Sequence, residues 1–226
     1  MKSMKQIVLT ICCLVLGAVA QGQSIYSYTF SNNVAVPDGN LSGLAISTNL
    51  SGITGGSLSN VTLTLNLSGG YNGDLYAYLV GPNGGFAILL NRVGVSNNAS
   101  SFGYGDSGLN VTFSDGAAND FHYYQNVGGY SLTGTMWQPD GRNIDPLGDP
   151  NAFLSAGQTA MLSSFYNTDP NGTWTLFLAD LSSGAQSTLV SWGLDLTMVP
   201  EPSTWAVTAM GLAGAALLIR RRAYRS

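Results

Sequence analysis

The sequence has 226 residues, of which 9% are charged and 29 are glycine, and its formal net charge at pH 7 is −4. This length fits one domain with a substantial core and excludes two large domains. Between residues 21 and 199, two arginines stand against eleven aspartates and leave a net charge of −9. That balance excludes nucleic acid as a partner, because phosphate binding depends on Lys and Arg.

The N-terminal segment, residues 1–20, is typical of a secretory signal peptide. It has a basic start and an apolar run over residues 7–19, and small residues occupy Ala18 and Ala20. The small-x-small pattern predicts cleavage after Ala20. The exported protein would then contain no cysteine, and therefore no disulfide.

Two alternatives exist for this segment. A permanent membrane anchor would need a longer apolar run than the one present. A lipoprotein site at Cys12 would need a small residue before the cysteine, where the chain has Ile11. Signal-peptide cleavage is the interpretation that both observations favour.

The body of the chain, residues 24–198, alternates apolar and polar side chains with a period of two. The segments "VTLTLNL", "TWTLFLAD" and "LVSWGLDLT" show this pattern most clearly, and the last one places Val190 and Trp192 on one face. Gly/Asn-rich turns such as "SGGYNGD" and "GPNGG" separate the predicted strands. Such patterning predicts an all-β fold, an antiparallel β-sandwich or jelly roll, without a long helix. Further strands are predicted near residues 24–30, 75–80, 86–90, 109–113 and 130–137.

Two segments of the body look alike: "YNGDLYAYLVGPN" at 71–83 and "PNGTWTLFLADLS" at 170–182. If the two strands pair, Asp74 and Asp180 lie close together at the strand ends. Carboxylates are the oxygen ligands that calcium prefers, so these two residues are candidate metal ligands. The alternative is that they are solvated turn aspartates bonded to their own backbone.

Residues 40–197 resemble the P domain (P/Homo B domain) of proprotein convertases and bacterial subtilases. The resemblance is carried by "SNVTLTLNLSGGYNGDLYAYLVGPNGGFAILLNR", "FSDGA" and "NGTWTLFLADLSSGAQSTLVSWGLDL". It implies a jelly-roll sandwich that supports a subtilisin-like catalytic domain, which this chain does not contain. Some members bind calcium. However, many have further acidic residues after the position of Asp180, where this chain has "LSSGAQS".

The body shows no catalytic motif. His122 is its only histidine, and no Gly-x-Ser-x-Gly sequence accompanies it, so a Ser-His-Asp triad and a histidine-based zinc site are both disfavoured. We therefore expect His122 to make ordinary hydrogen bonds and the protein not to be an enzyme. The abundant aromatic residues allow one binding alternative, stacking on sugars, against the simpler interpretation that they are core. These residues are Tyr71, Tyr76, Tyr78, Phe102, Tyr104, Phe121, Tyr123, Tyr124, Tyr130 and Trp137.

The C-terminal segment, residues 199–226, has three parts. It begins with Val199, Pro200, Glu201, Pro202 and Ser203. An uncharged stretch over 205–219 follows, and then Arg220, Arg221 and Arg222. As a helix the 15-residue stretch spans roughly 23 Å, less than a bilayer core of roughly 30 Å. Arginines after it would stay on the cytoplasmic side.

This segment resembles the PEP-CTERM sorting signal of Gram-negative bacteria. The resemblance implies recognition by a membrane exosortase and transient anchoring in the inner membrane. The alternative is a plain single-span anchor.

Together these features predict a non-catalytic protein of the bacterial surface or extracellular matrix. Its role would be structural or adhesive, with polysaccharide as a candidate partner. The alternative is a module that supports a subtilisin-like serine endopeptidase encoded elsewhere. A hydrolase is the least favoured interpretation, because the triad is missing.

Overall fold

The computed structural model describes residues 22–200, together with Gly211 and Gly214, which are both helical. The predicted signal peptide, with Ala18 and Ala20, lies outside the described residues. So does most of the sorting segment, including Glu201, Pro202, Ser203 and the three arginines. Among the described residues, none of the helices is long and apolar enough to span a membrane.

The described chain is built from nine strands and a few short helical turns. The strands are β1 (Ser24–Ala35), β2 (Leu44–Leu50), β3 (Ser57–Gly69), β4 (Leu75–Val80), β5 (Phe86–Asn91), β6 (Leu109–Phe113), β7 (Thr133–Trp137), β8 (Gly172–Asp180) and β9 (Ser187–Val199). Within residues 22–200 the α-helix is α1 (Ala152–Ser155), and 3₁₀ turns occupy Asn72–Asp74, Asn98–Ser100, Phe121–Asn126 and Leu162–Phe165.

The strands form two sheets that enclose one core. The five-stranded sheet has the order β1-β9-β3-β6-β7, and the four-stranded sheet has the order β2-β8-β4-β5. Inward-facing residues of both sheets, such as Leu63 and Leu65 of β3 and Leu176 and Leu178 of β8, belong to the same buried cluster. The all-β sandwich predicted from the two-residue periodicity is confirmed.

Two details differ from the sequence prediction. Val190 is only half-buried, whereas Leu189 beside it is fully buried, because a β-bulge in β9 skips Val190 in the pairing with β3. The interpretation that Val190 faces the core was therefore wrong. In addition, β7 pairs with β6 in parallel, since the long connection over residues 114–132 returns the chain to the same end of the sheet.

The two ends of the sandwich differ in character. At one end, Val199 of β9 lies opposite Ser57 of β3, and the chain leaves toward the sorting segment. We call this the tail end. At the other end, Gly69 lies opposite Ser187, and five connections meet there, over residues 36–43, 70–74, 92–108, 127–132 and 181–186. We call this the loop end.

Candidate functional site

The two candidate ligands, Asp74 and Asp180, lie side by side at the loop end. β4 and β8 pair in antiparallel fashion with Leu75 opposite Asp180, and the backbone N–H of Leu181 donates to the carbonyl oxygen of Asp74 at 2.9 Å. The two similar segments of the sequence are thus neighbouring strands. Their pairing brings the two aspartates together where β4 begins and β8 ends.

Asp180 is a carboxyl group on the inward face of a strand. It follows Trp174, Leu176 and Leu178 at two-residue intervals, and it is as fully buried as they are. Oδ1 accepts a long bond of 3.4 Å from the backbone N–H of Ser182, while Oδ2 has no protein partner. Burial, helped by the neighbouring charges of Asp74 and Asp38, raises the pKa of Asp180 to about 6.

Asp74 and Asp38 complete the acidic side of the loop end. Burial raises the pKa of Asp74 as well. Asp38 accepts the backbone N–H of Gly184 with both oxygens, each at 3.1 Å, and so fixes the β8–β9 connection. Sequence reasoning missed Asp38, although its Pro-Asp-Gly context identifies a turn.

Arg92 is the basic residue nearest to these aspartates. Its Nη2 donates to the carbonyl oxygen of Ser101 at 2.9 Å, and its Nε donates to that of Gly73 at 3.4 Å. It makes no salt bridge to a carboxylate among the described residues. The guanidinium therefore stabilises the loop backbone and leaves Asp74 and Asp180 without a direct counter-ion.

A metal ion at this position would have few side-chain ligands. Within residues 22–200, no three His, Cys, Asp or Glu side chains are arranged as a metal-binding group. The acidic residues after Asp180 that the P-domain resemblance would suggest are absent from the sequence. A calcium ion would draw on Asp74, Asp180 and main-chain carbonyl groups or water.

His122 lies in a buried polar network beneath the long connection between β7 and β8. Its Nδ1 is 2.6 Å from Oδ2 of Asp140, and its Nε2 is 2.8 Å from the carbonyl oxygen of Val95. Arg142 joins the network through Oδ2 of Asp120 at 2.6 Å. Neither ring nitrogen of His122 is free to act as a general base, and the ring is fully buried.

A further carboxylate, that of Asp106, lies at the loop end on the side of the five-stranded sheet. Oδ2 of Asp106 accepts hydrogen bonds from Tyr124 Oη at 2.9 Å, Gln125 Nε2 at 2.6 Å and Tyr130 Oη at 3.4 Å. Asp106 borders a shallow groove between the end of β3 and the start of β6. Its polar lining consists of Asn66, Ser68, Asp106, Ser107, Asn110 and Thr133.

The aromatic residues that suggested sugar stacking fall into four groups. Tyr104 and Tyr123 are half-buried and pack edge-on against Tyr124 and His122, respectively. Phe121, Tyr124 and Trp137 are core residues. Tyr76 and Tyr78 lie on the four-stranded sheet, where Tyr78 stacks on Phe177 of β8 with ring centroids 4.6 Å apart. Tyr76 meets both Tyr78 and Phe177 edge-on, so the three rings form one half-buried cluster on this sheet. Tyr71, Phe102 and Tyr130 are the exposed aromatic side chains of the described chain, and all three lie in loop-end connections.

Comparison with known families matches residues 199–222 to the PEP-CTERM protein-sorting motif. This match supports an exported protein of the Gram-negative cell envelope that is sorted by an exosortase, a membrane enzyme. No curated protein matches the chain.

Among solved structures, the chain is similar to the Aeromonas sobria serine protease. A chain of the crystal structure of this protease with its chaperone aligns at a TM-score of 0.44 and 18% identity, over 83% of this chain and 29% of that chain. The protease crystallised alone aligns at a TM-score of 0.43 and 17% identity, over 82% of this chain and 29% of the protease chain. This chain thus spans less than a third of the length of either solved chain.

Proposed function

We propose that the protein is a non-catalytic component of the cell surface or extracellular matrix, with a structural or adhesive role and polysaccharide as its partner. The observation that carries this proposal is the junction at Val199. This residue ends the last strand of the sandwich and is also the first residue of the sorting motif. The sandwich is therefore the cargo, and the motif is the signal that delivers it.

A non-catalytic role is supported by the state of the only histidine. Both ring nitrogens of His122 already contact oxygen atoms of the protein. The buried Asp180 has one carboxylate oxygen without a partner, and in the described part of the chain no hydrogen bond joins this side chain to a serine or threonine hydroxyl group. A recombinant protein without peptidase or glycosidase activity is the expected result.

The experiment that tests the proposal is fractionation of the native cells, followed by intact-mass measurement of the protein in each fraction. We expect a matrix or outer-surface form that has lost residues 1–20 and the segment after about Pro202. Retention in the inner membrane with Arg220–Arg222 intact would contradict the proposal. The tail would then be a permanent anchor.

A second candidate function rests on the sequence resemblance to the P domain. The landmarks of that resemblance, Trp174 and Trp192, are fully buried core residues in the two sheets, as a conserved sandwich architecture would require. In this function the chain supports a subtilisin-like serine endopeptidase encoded elsewhere. Co-purification with such a protease, and a higher melting temperature of that protease in the complex, would favour it.

A calcium site at Asp74 and Asp180 is a separate proposal about the same sandwich. It is supported by the orphaned Oδ2 of Asp180, because a buried carboxylate oxygen without a partner is costly unless a proton or a cation satisfies it. The ion would neutralise the two adjacent carboxylates and fasten the β8–β9 connection to the start of β4. Its role would be structural.

A further inference from the structure

We propose that the groove beside Asp106 binds a neutral saccharide unit of a polysaccharide. This inference rests on the proposed function, since it assigns the site through which a matrix protein would hold its polysaccharide. The groove lies at the loop end, away from the strand end that leads into the sorting motif. It is therefore on the part of the sandwich that remains accessible while the tail is held in a membrane.

The carboxylate of Asp106 is positioned in advance to accept hydrogen bonds from a ligand. Three donors, from Tyr124, Gln125 and Tyr130, hold its Oδ2. Its Oδ1 accepts no hydrogen bond from the described protein. Tyr124 remains a donor across the physiological range, because burial raises its pKa. The free oxygen can thus accept a hydroxyl group without reorganisation of the side chain.

Amide and hydroxyl groups continue the groove from Asp106. Asn66 of β3 and Asn110 of β6 are directly paired positions on neighbouring strands, and Asn110 is exposed. Ser68 and Thr133 are also exposed at the rim. Each sugar hydroxyl both donates and accepts a hydrogen bond. The groove offers partners for both roles, because the carboxylate of Asp106 only accepts hydrogen bonds, whereas the amide and hydroxyl side chains both donate and accept them.

Exposed aromatic rings flank this polar set. Tyr130 is 37% exposed and bonds directly to Asp106. Tyr71 precedes Asn72, whose backbone N–H donates to the carbonyl oxygen of Asp106 at 2.9 Å. Phe102, at 81% exposure, lies in the same connection as Asp106. The apolar faces of sugar rings pack on such aromatic side chains, and Tyr130, which contacts Asp106 itself, is the ring best placed to do so.

The charge of the groove selects a neutral ligand. Its lining contains one carboxylate and no basic residue. The two arginines of the sandwich are engaged elsewhere, Arg92 with loop carbonyl groups and Arg142 with Asp120 and Asp140. An anionic polysaccharide would meet the field of a body with charge −9 without a compensating cation.

The test is affinity electrophoresis of the protein purified from its native fraction, in gels that contain galactomannan, dextran, xyloglucan or alginate. We expect at least one neutral polysaccharide to retard the wild-type protein and alginate not to do so. Asn110→Ala and Asp106→Asn should weaken the retardation about tenfold, the factor expected for the loss of one or two ligand hydrogen bonds. Asn49→Ala, an exposed strand asparagine on the four-stranded sheet, is the matched control and should behave as wild type.

Each other outcome overturns the inference in a distinct way. If a neutral polysaccharide retards the wild-type protein and Asn110→Ala equally, the groove is not the binding site. If alginate alone retards the protein, the ligand is not a neutral polysaccharide. If no gel retards a protein that still reaches the matrix with a trimmed tail, the inference fails and the proposed function stands. The result for Asp106→Asn is interpreted only if a cooperative melting curve shows that the variant is folded, because Asp106 also bonds to three side chains of the protein. Asn110 is exposed, so Asn110→Ala tests the site without affecting the fold.

Discussion

Nδ1 of His122 lies 2.6 Å from Oδ2 of Asp140, and both side chains are completely buried. The second ring nitrogen faces the carbonyl oxygen of Val95. Each ring nitrogen therefore has an oxygen partner, and the ring is held in one orientation inside the core. Arg142 also contacts Asp140 and links this pair to the partly exposed Asp120.

We expect His122→Ala to lower the free energy of unfolding by about 3–5 kcal/mol, because it leaves a cavity and removes a hydrogen-bond partner from the fully buried Asp140. Urea denaturation monitored by tryptophan fluorescence measures this effect. The control is Asp195→Ala, an exposed aspartate of β9, which should change the free energy by no more than about 0.5 kcal/mol. A loss below that limit for His122→Ala would mean that the network contributes little to the stability of the fold.

The buried Asp180 should make the protein less stable as the pH rises through the weakly acidic range. Its pKa is raised to about 6 in the folded state, above the ordinary value of 3.8. The folded state therefore binds more protons than the unfolded state between these values, and stability falls as pH increases from about 4 to about 6. The loss should be about 2 kcal/mol by neutral pH.

Asp180→Asn should remove most of this pH dependence and stabilise the protein at pH 7.5, since the amide cannot ionise. Unfolding in urea at a series of pH values, with and without the substitution, measures the difference. Asp195→Asn serves as the control for the loss of one negative charge from the surface. Parallel pH profiles for wild type and Asp180→Asn would contradict the assignment.

Calcium should raise the melting temperature if it binds at Asp74 and Asp180. The stabilisation at a calcium concentration of 100 times Kd would be about 2.7 kcal/mol. It should be larger at pH 7.5 than at pH 5, because a protonated Asp180 competes with the ion. Differential scanning calorimetry in millimolar calcium and in chelator measures it, with Asp180→Asn as the variant that should not respond. Identical melting temperatures in calcium and in chelator would contradict the calcium site. Protonation would then be what satisfies the unpartnered Oδ2 of Asp180.

Gly43 should be the least replaceable of the glycines that lead into a strand of the four-stranded sheet. It adopts a φ of +56°, and an added Cβ would lie 2.6 Å from Cζ of Phe177 and closer still to the carbonyl oxygen of Leu178. We expect Gly43→Ala to cost more than about 3 kcal/mol, through backbone strain and overpacking together. Gly52→Ala, at φ +76° with open space around it, should cost only about 1 kcal/mol. Equal costs in urea denaturation would contradict the close-packing explanation.

The sequence predicted the sandwich because its strands are long and their alternation is regular. The pattern of β3, with Val61, Leu63, Leu65 and Leu67 on one face, is reproduced in the buried core. β2 was not predicted, since an edge strand with Leu44 and Ile46 only half-buried carries a weak pattern. The position of Val190 was predicted wrongly because a β-bulge changes the face of a strand without changing its composition.

The candidate site was predictable only in part. The similarity of two Asn-Gly segments suggested that Asp74 and Asp180 are neighbours, and strand pairing places them so. Asp38 and Asp106 were not assigned to any site, because their partners come from connections far away in sequence. Gly184 lies 146 residues from Asp38, and no local periodicity reports such a contact.

The course of β9 also decides how the protein responds to a pulling force. This strand has 13 residues, or roughly 40 Å of extended chain, and it is hydrogen-bonded to β1 on one side and to β3 on the other. A tension between a tail held at Val199 and a polymer held at the loop end runs along the strand axis. The hydrogen bonds that join β9 to β1 and to β3 would then be loaded in shear at the same time, rather than breaking one after another. While the tail is held, the sandwich would therefore resist a pull along β9 better than a pull across its strands.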